Sequence, residues 1–544
     1  MRAADLLVRC LEEEGVEYIF GVPGEEILDL LDALSRSPIR CISTRHEQGA
    51  AFMADVHGRL TGRAGVCLAT LGPGATNLLT GVANAYMDRS PLVAITGQAS
   101  TERRHKEYHQ YVSITHMFQP VTKWNTTCTG PGTIPEIVRK AFRIAQAEKP
   151  GATHIELPEN VAQMDVDSEP LRSVPPIYSS PSEEAVARAA RIVREASNPI
   201  ILAGHGVIRR RAAGQLTALV DECALPLCHT FMGSGGIDAS HPLCLLSVGL
   251  QRDDSLVSGL DRADVVIAVG YDMAEYAPDL WNPDQDKVII HIDTEPAEVD
   301  AHYQPAAELI GELAETLVAL TKALGPRQRP ALDISQRDEL IAELHRFDRD
   351  PSFPMKPQRI LADVRRALDG SDLLVCDVGA HKLWVARLFP AHQPNTVLIS
   401  NGYAAMGFAV PGAIAAKLVH PDRRVLAVTG DGGFLMNSQE LETAKRLGTN
   451  FVILIWVNGG YGSIAWKQTA RFGQTFAVDF DNPDFVAYAQ SFGLPGLRVE
   501  SADGLLPVLQ QAFDLPGPAV VQVPVDYSEN RRLTERLGAL TLRV

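Results

Sequence analysis

Short apolar runs alternate with amphipathic stretches through almost the whole chain. In the first third, runs typical of buried strands lie at 16–21, 38–43, 64–70, 91–96 and 153–157. Helical periodicity separates them at 25–34, 46–60 and 135–147. This alternation predicts a mainly parallel sheet that is covered by helices on both faces.

The same alternation continues in the rest of the chain. Further strands are predicted at 199–207, 263–270, 287–293, 373–379, 423–432, 451–460 and 518–525. A stretch rich in Pro and Ser at 164–182 has neither period and is interpreted as a linker, and a second linker is predicted at 325–358. A chain of 544 residues is too long for one core. We therefore predict an α/β protein with three doubly wound domains at 1–163, 183–325 and 353–544.

Composition excludes several classes of protein. The formal net charge of −16 disfavours nucleic acid as a partner. No apolar run is long enough to span a membrane, and the N-terminus lacks the layout of a signal peptide. The eight cysteines form no CxxC pair, which favours reduced core thiols and a cytoplasmic protein.

Four predicted strands end in turns that carry Gly, Asp, Asn or His. The turns are LGPGATN (71–77), VGAH (378–381), GDGG (430–433) and NGGYG (458–462). Open parallel sheets bind ligands at the carboxyl ends of their strands. The oxygens of Asp431, Asn458 and the Gly460 carbonyl suit Mg²⁺ bound to a diphosphate, because phosphates and water fill its remaining positions. GDG alone would be an ordinary turn, and the nearby Asn turn makes the metal interpretation the better one.

The GDGG and NGGYG pair resembles the binding motif of thiamine-diphosphate enzymes. That motif ends in two Asn residues, and here the second is Gly459. By itself Glu47 would be an ordinary first-turn helix residue favoured by the helix dipole. In the acetolactate synthase group, which has a similar RHEQGA segment, this Glu activates the aminopyrimidine ring of the cofactor. The resemblance implies the same role for Glu47, which should then be buried.

The resemblance also implies which residues contact the cofactor. The N-terminal domain would bind the pyrimidine and the C-terminal domain the diphosphate, with a central domain between them. The predicted cofactor contacts are Gly24, Pro73, Asn77, Gly379, Ala380, His381, Ala404, Met406, Gly430, Asp431, Gly432, Gly433, Asn458, Gly460, Tyr461 and Gly462. A turn His and a core Met are the ordinary alternatives for His381 and Met406.

The chain is most similar to the catabolic acetolactate synthases, which lack FAD. The implied reaction converts two pyruvate molecules to 2-acetolactate and CO₂, with thiamine diphosphate and Mg²⁺ as cofactors and without FAD. The alternatives are another thiamine-dependent 2-oxo-acid decarboxylase or carboligase, a pyruvate oxidase, or a non-catalytic homologue. The family also implies a homodimer or homotetramer whose active sites lie between subunits.

Substrate contacts are the least specific part of the prediction. His109 and Gln110 are candidates for orienting the acceptor, although each can instead be a satisfied loop residue. After NGGYG, helical spacing gives Ile464, Lys467 and Gln468 a shared face that can line the site. Related synthases usually have an aromatic residue or Gln at the position of Lys467. This Lys would bind a carboxylate or extend to solvent, and the first alternative would change the acceptor.

Overall fold

Strands form three separate six-stranded sheets in the computed structural model, which describes residues 1–174, 177–249, 258–326 and 335–530. Neighbouring strands in each sheet are parallel, and helices connect them. The predicted α/β class with three doubly wound domains is confirmed. The second predicted linker is only partly a linker, because a helix spans Ser335–Arg346 within it. Part of that stretch and the end of the C-terminal domain lie outside the described residues.

The N-terminal sheet has the strand order β2-β1-β3-β4-β6-β5. Its strands are β1 Tyr18–Gly21, β2 Arg40–Ser43, β3 Gly65–Ala69, β4 Leu92–Gln98, β5 Trp124–Thr127 and β6 Ala152–Pro158. Its helices are α1 Ala3–Glu13, α2 Leu28–Leu34, α3 Glu47–Thr61, α4 Pro73–Met87, α5 Ile114–Phe118, α6 Ile134–Gln146 and α7 Glu159–Gln163.

The central sheet has the order β12-β11-β10-β7-β8-β9, the order of dinucleotide-binding folds. Its strands are β7 Pro199–Ala203, β8 Leu227–Thr230, β9 Cys244–Val248, β10 Val265–Val269, β11 Val288–Asp293 and β12 Pro305–Ile310. The described helices here are α8 Glu183–Glu195, α9 His205–Arg209, α10 Ala213–Cys223, α11 Pro278–Trp281 and α12 Leu313–Leu324, followed by α13 Ser335–Arg346.

The C-terminal sheet has the order β14-β13-β15-β16-β18-β17, which repeats the order of the N-terminal sheet. Its strands are β13 Leu373–Cys376, β14 Val397–Ile399, β15 Val425–Gly430, β16 Val452–Val457, β17 Gly496–Arg498 and β18 Ala519–Pro524. Its helices are α14 Pro357–Ala367, α15 Ala380–Leu388, α16 Ala409–Val419, α17 Asp431–Asn437, α18 Glu440–Leu447, α19 Gly462–Phe472, α20 Phe485–Ser491 and α21 Leu505–Asp514.

The N- and C-terminal domains share one hydrophobic core. Helix α3 packs on α16, and residues of both helices belong to a single buried cluster. The rings of Phe52 and Phe408 meet edge to face at 5.6 Å, and Gly412 lets α16 approach Val56. Because the helices are in close contact, the start of α3 lies against the C-terminal domain. No helix in the described ranges is long and apolar enough to cross a membrane.

Candidate active site

The predicted motifs lie where each outer sheet changes its direction of winding. In the N-terminal sheet this point lies between β1 and β3, and in the C-terminal sheet between β13 and β15. Gly24 follows β1, and LGPGATN (71–77) follows β3. VGAH (378–381) follows β13, and GDGG (430–433) joins β15 to α17. Crevices at such points bind ligands in open α/β sheets.

Asp431 organises the turn that follows the neighbouring strand. Its carboxylate is buried, and Oδ2 accepts hydrogen bonds from the amides of Asn458 at 2.9 Å and Gly459 at 2.7 Å. Oδ1 accepts from Gly432 N at 2.9 Å, and Asn482 Nδ2 donates to Oδ2 at 2.9 Å. The structure therefore brings the GDGG and NGGYG motifs together. Asn482 was not predicted, because its contact with Asp431 joins segments that are distant in sequence.

The NGGYG turn presents oxygen atoms beside Asp431. Asn458 is exposed, and its Nδ2 donates to the Gly460 carbonyl at 3.1 Å. The buried Oδ1 of Asn482 has no hydrogen-bond partner among the described residues. Tyr461 packs on Phe480 with ring centroids 5.0 Å apart, and Gly462 begins α19. Oxygens of one carboxylate, amides and a carbonyl form a donor set that suits a hard cation.

Close packing explains two of the GDGG glycines. A Cβ on Gly430 would lie 3.3 Å from the ring of His381, and a Cβ on Gly432 would lie 3.0 Å from Tyr461. His381 is buried, its Nε2 has no partner among the described residues, and burial lowers its pKa to about 4. The imidazole is therefore neutral at pH 7. Gly379 directly precedes α15, and Ala380 is the first residue of that helix, just before His381.

Asp377 joins three motifs that are distant in sequence. Its carboxylate accepts hydrogen bonds from Gly407 N at 2.9 Å, Ala409 N at 3.3 Å and the Thr429 hydroxyl at 3.3 Å. A Cβ on Gly433 would lie 3.2 Å from its carboxyl carbon. Burial raises the pKa of Asp377 to about 6. Asp377 was not predicted, because it directly precedes VGAH and resembles an ordinary residue at the end of a strand.

The N-terminal domain holds the base of the loop at 400–407. Asp88 accepts hydrogen bonds from the amides of Asn401 and Gly402. Arg59 donates to Oδ2 of Asp88 at 2.7 Å and to the Ile399 carbonyl at 2.8 Å. This buried interdomain network positions the loop that carries two predicted cofactor contacts.

Those two contacts are Ala404 and Met406. Ala404 is exposed and left-handed, with φ of 54°, and Met406 is half-buried. Beyond them, the Gly407 carbonyl accepts a hydrogen bond from Asn437 Nδ2 at 2.9 Å. The same amide nitrogen reaches Oε1 of Gln48 at 3.2 Å, which links the loop to the start of α3.

Glu47 is the first residue of α3 and is buried, as predicted. The ring of His46 caps the helix by accepting from the Gln48 amide at 3.0 Å. Asn77 Nδ2 donates to Glu47 Oε2 at 2.9 Å, so the structure joins two residues that were predicted separately. Gly74 approaches Glu47 Oε1, because a Cβ there would lie 3.4 Å from it.

The backbone just before Glu47 is fixed by the C-terminal domain. Oε1 of Glu440 accepts hydrogen bonds from the amides of Arg45 and His46, each at 3.0 Å. Burial raises the pKa of Glu440. Gly24 packs on Thr70, which leads into the turn whose Pro73 begins α4. The Glu47 region therefore contacts both domains predicted to bind the cofactor.

The predicted substrate residues differ in their surroundings. Gln110 is exposed and left-handed, with φ of 56°, and its backbone lies against Gly72 in the LGPGATN turn. His109 beside it is exposed. In α19, Ile464 is exposed and Lys467 is half-buried. The Gln468 amide exchanges hydrogen bonds with the Phe476 backbone at 2.8 and 3.1 Å, so it holds a loop.

Three family models match the chain. The N-terminal TPP binding domain of thiamine pyrophosphate enzymes matches residues 1–122, the central domain 186–320, and the C-terminal TPP binding domain 377–523. Together these matches and the fold define a thiamine pyrophosphate enzyme.

Similar proteins indicate which family of thiamine pyrophosphate enzymes includes this chain. The acetolactate synthase of Bacillus subtilis is 38% identical over 98% of this chain and 94% of its own length. The catabolic acetolactate synthase of Raoultella terrigena is 36% identical over 98% and 97%. A probable acetolactate synthase large subunit of Methanocaldococcus jannaschii is 36% identical over 99% and 95%. The chain belongs to the acetolactate synthase family.

Proposed function

We propose that the protein condenses two molecules of pyruvate and one proton to 2-acetolactate and CO₂. The observation that carries this proposal is the placement of Glu47 and Asp431 at the ligand-binding ends of two sheets, in a chain of this family. Bound thiamine diphosphate would supply the electron sink that decarboxylation of a 2-oxo acid requires. The protein's part is to bind, orient and shield the reactants.

The C-terminal domain offers a fitting place for the diphosphate and Mg²⁺. Asp431, Asn458 and the Gly460 carbonyl would hold the cation, because their oxygens lie around one turn. No group of three or more His, Cys, Asp or Glu side chains in the described ranges is arranged to hold a metal alone. A cation that is mostly bound by phosphate and water fits that donor set. His381, whose buried Nε2 has no partner among the described residues, lies beside Gly430 at the start of the GDGG turn.

Glu47 would exchange a proton with the aminopyrimidine ring of the cofactor. Asn77 occupies Oε2 at 2.9 Å, and no described residue donates a hydrogen bond to Oε1. The fixed Oε2 orients the carboxyl group and leaves Oε1 for the proton. Glycine at position 74 keeps the space beside Oε1 free of a side chain.

The reaction is tested by incubation with pyruvate, thiamine diphosphate and Mg²⁺, followed by acid treatment and measurement of acetoin. Glu47→Gln is expected to lower turnover about 100-fold or more. Glu183→Gln is the matched control, since Glu183 is also the first residue of a helix but is exposed on α8. No acetoin from the unmodified protein would refute the reaction. Unchanged turnover in Glu47→Gln would refute the role of that residue.

We also propose that FAD is not required. Glu275 fills the turn after the first central strand, where dinucleotide folds bind a pyrophosphate. Its two carboxylate oxygens each accept from His205 N at 3.2 Å, and the Thr230 hydroxyl donates to it as well. Burial raises the pKa of Glu275 to about 8. Absorption near 450 nm in the purified protein would contradict this proposal.

A homodimer or homotetramer with shared active sites is the assembly we propose. Its support is a set of exposed apolar side chains beside the candidate cofactor turns, namely Leu435, Met436, Tyr461, Ile464, Phe472 and Phe476. Phe476→Asp is expected to weaken assembly in sedimentation experiments. Val299→Asp is the control for this variant. Val299 is also an exposed apolar residue, but it lies in the central domain, away from the candidate cofactor turns. A monomeric unmodified protein would refute the assembly.

A further inference from the structure

The loop at 99–113 carries Gln110, and one buried side chain holds the two ends of this loop together. Gln98 is the last residue of β4 and is 0% exposed. Its Oε1 accepts a hydrogen bond from the amide of Ala99 at 2.8 Å, and its Nε2 donates to the carbonyl of Val112 at 3.1 Å. The base of the loop is therefore closed by a single side chain of the sheet.

A buried carboxylate fixes that side chain and also binds the middle of the loop. Glu156 lies in β6 and is 0% exposed, and its Oε2 accepts from Gln98 Nε2 at 2.9 Å. Its Oε1 accepts from the Thr127 hydroxyl at 2.7 Å and lies 2.8 Å from Nη2 of Arg104. Arg104 is the one cation paired with Glu156 in the described part of the chain. Because a buried carboxylate is unfavourable without a counter-ion, the loop is most stable where Arg104 reaches Glu156.

The same loop lies against the turn that carries candidate cofactor contacts. A Cβ on Gly72 would lie 2.7 Å from the carbonyl oxygen of Gln110 and 2.9 Å from its Cβ. Gly72 has a φ of 55° and Gln110 a φ of 56°, so both backbones have a positive φ where they meet. From Gly72 the chain enters α4, in which Asn77 binds Glu47. A displaced loop would therefore move Gln110 relative to Glu47.

We propose that Glu156 and Arg104 are positioning residues, which set the place of Gln110 and thereby decide how well the second pyruvate is held. This inference rests on the proposed carboligation. When the second pyruvate is poorly held, the two-carbon unit left by the first takes up a proton and leaves as acetaldehyde. One pyruvate and one proton then give acetaldehyde and CO₂, whereas carboligation converts two pyruvate and one proton to 2-acetolactate and CO₂.

The test measures the ratio of acetaldehyde to acetolactate at a fixed concentration of pyruvate. Both products come from the same decarboxylation, so their ratio does not depend on how much of the protein is folded or loaded with cofactor. Arg104→Gln is expected to raise the ratio about tenfold, because it removes the counter-ion of Glu156 and releases the middle of the loop. Glu156→Gln should act in the same direction. Arg104→Lys should recover part of the effect, because Lys keeps the positive charge.

Two comparisons separate positioning from a general loss of structure. The double variant Arg104→Gln with Glu156→Gln should show about the ratio of Glu156→Gln alone, because the two residues act through one contact. Lys106→Gln is the matched control. It removes a positive charge from the same loop, its side chain is exposed, and its ratio should stay as in the unmodified protein.

The residue that the loop presents is tested with Gln110→Ala, which should raise the ratio at least as much as Arg104→Gln. An unchanged ratio in both Arg104→Gln and Glu156→Gln overturns the proposal, and so does an equal rise in Lys106→Gln. An unchanged ratio in Gln110→Ala also overturns it, because the contact would then position no residue that holds the acceptor. If the unmodified protein forms acetaldehyde but no acetolactate, the proposed carboligation has failed and the positioning role falls with it.

Discussion

Arg59 is a buried charged residue at the contact between the N- and C-terminal domains. Its guanidinium is almost fully buried and pairs with Asp55 and Asp88, each at 2.7 Å. It also donates to the Ile399 carbonyl at 2.8 Å and lies 5.1 Å from the ring centre of Phe408. We predict that Arg59→Met destabilises this contact and loosens the loop at 400–407.

The magnitude follows from what the substitution leaves behind. Two carboxylates with side-chain exposures of 0% and 1% would lose their counter-ion. Removal of one partner from a buried ion pair costs about 3–5 kcal/mol, because the remaining charge is desolvated and unpaired. In a cooperative unit of this size we expect the Tm to fall on the order of 5–10 °C. The Tm of Arg59→Lys should fall less, because Lys keeps the positive charge but cannot pair with Asp55 and Asp88 at the same time as the planar guanidinium does.

The assay combines thermal unfolding followed by circular dichroism with a titration of thiamine diphosphate. Cofactor affinity should fall in Arg59→Met, because Asp88 also holds the amides of Asn401 and Gly402. Arg498→Met is the control, since its ion pair with Asp484 is exposed and its loss should leave the Tm unchanged. A Tm for Arg59→Met within about 1 °C of the unmodified protein would refute the reasoning.

Three further predictions follow from the site. Asn77→Ala should lower turnover about tenfold with little change in cofactor affinity, because it releases Glu47 Oε2; steady-state kinetics and a cofactor titration check this. Asp431→Asn should raise the Mg²⁺ concentration for half-maximal activity about tenfold or more, as a Mg²⁺ titration would show. Lys382→Met should stabilise the protein by about 3 kcal/mol at pH 7, because burial lowers the pKa of Lys382 to about 8. Above pH 8 the Lys382 ammonium group loses its proton in the folded protein, whereas in the unfolded chain it keeps the proton until about pH 10.4. The unmodified protein therefore becomes more stable as the pH rises, and the difference in stability between it and Lys382→Met becomes smaller. If the Tm of Lys382→Met exceeds that of the unmodified protein by the same amount at pH 7 and at pH 9.5, the last prediction is wrong.

The strands and turns that could be predicted from the sequence are those with a pattern of residues within one short segment. Apolar runs predicted all interior strands but one, together with the edge strand Arg40–Ser43, and Gly-rich turns at strand ends predicted the two candidate ligand-binding crevices. Most of the missed strands lie at sheet edges, namely Trp124–Thr127, Cys244–Val248, Pro305–Ile310, Val397–Ile399 and Gly496–Arg498, and the interior strand Leu227–Thr230 was also missed. Trp124–Thr127, Pro305–Ile310 and Gly496–Arg498 are only partly buried, so their apolar pattern is weak. The repeated strand order of the outer domains likewise leaves no repeat in the sequence.

Residues that act at a distance could not be predicted in the same way. Asp377, Glu440, Asn437 and Asn482 each bond to segments far away in the chain. Nothing in their own neighbourhood distinguishes them from strand-end or helix-surface residues. Their roles follow only from which segments the fold brings together.

The carboxylates of the site show why the motifs depend on such remote residues. Asp377, Asp431 and Glu440 are buried, and each accepts backbone amides from a segment distant in sequence. Turns rich in Gly let a ligand approach the backbone, but they have few side chains to fix their own shape. A carboxylate can accept several hydrogen bonds and so can supply that shape from outside the turn. Because Glu440 acts across the contact between the N- and C-terminal domains, that contact helps to fix the backbone geometry just before Glu47.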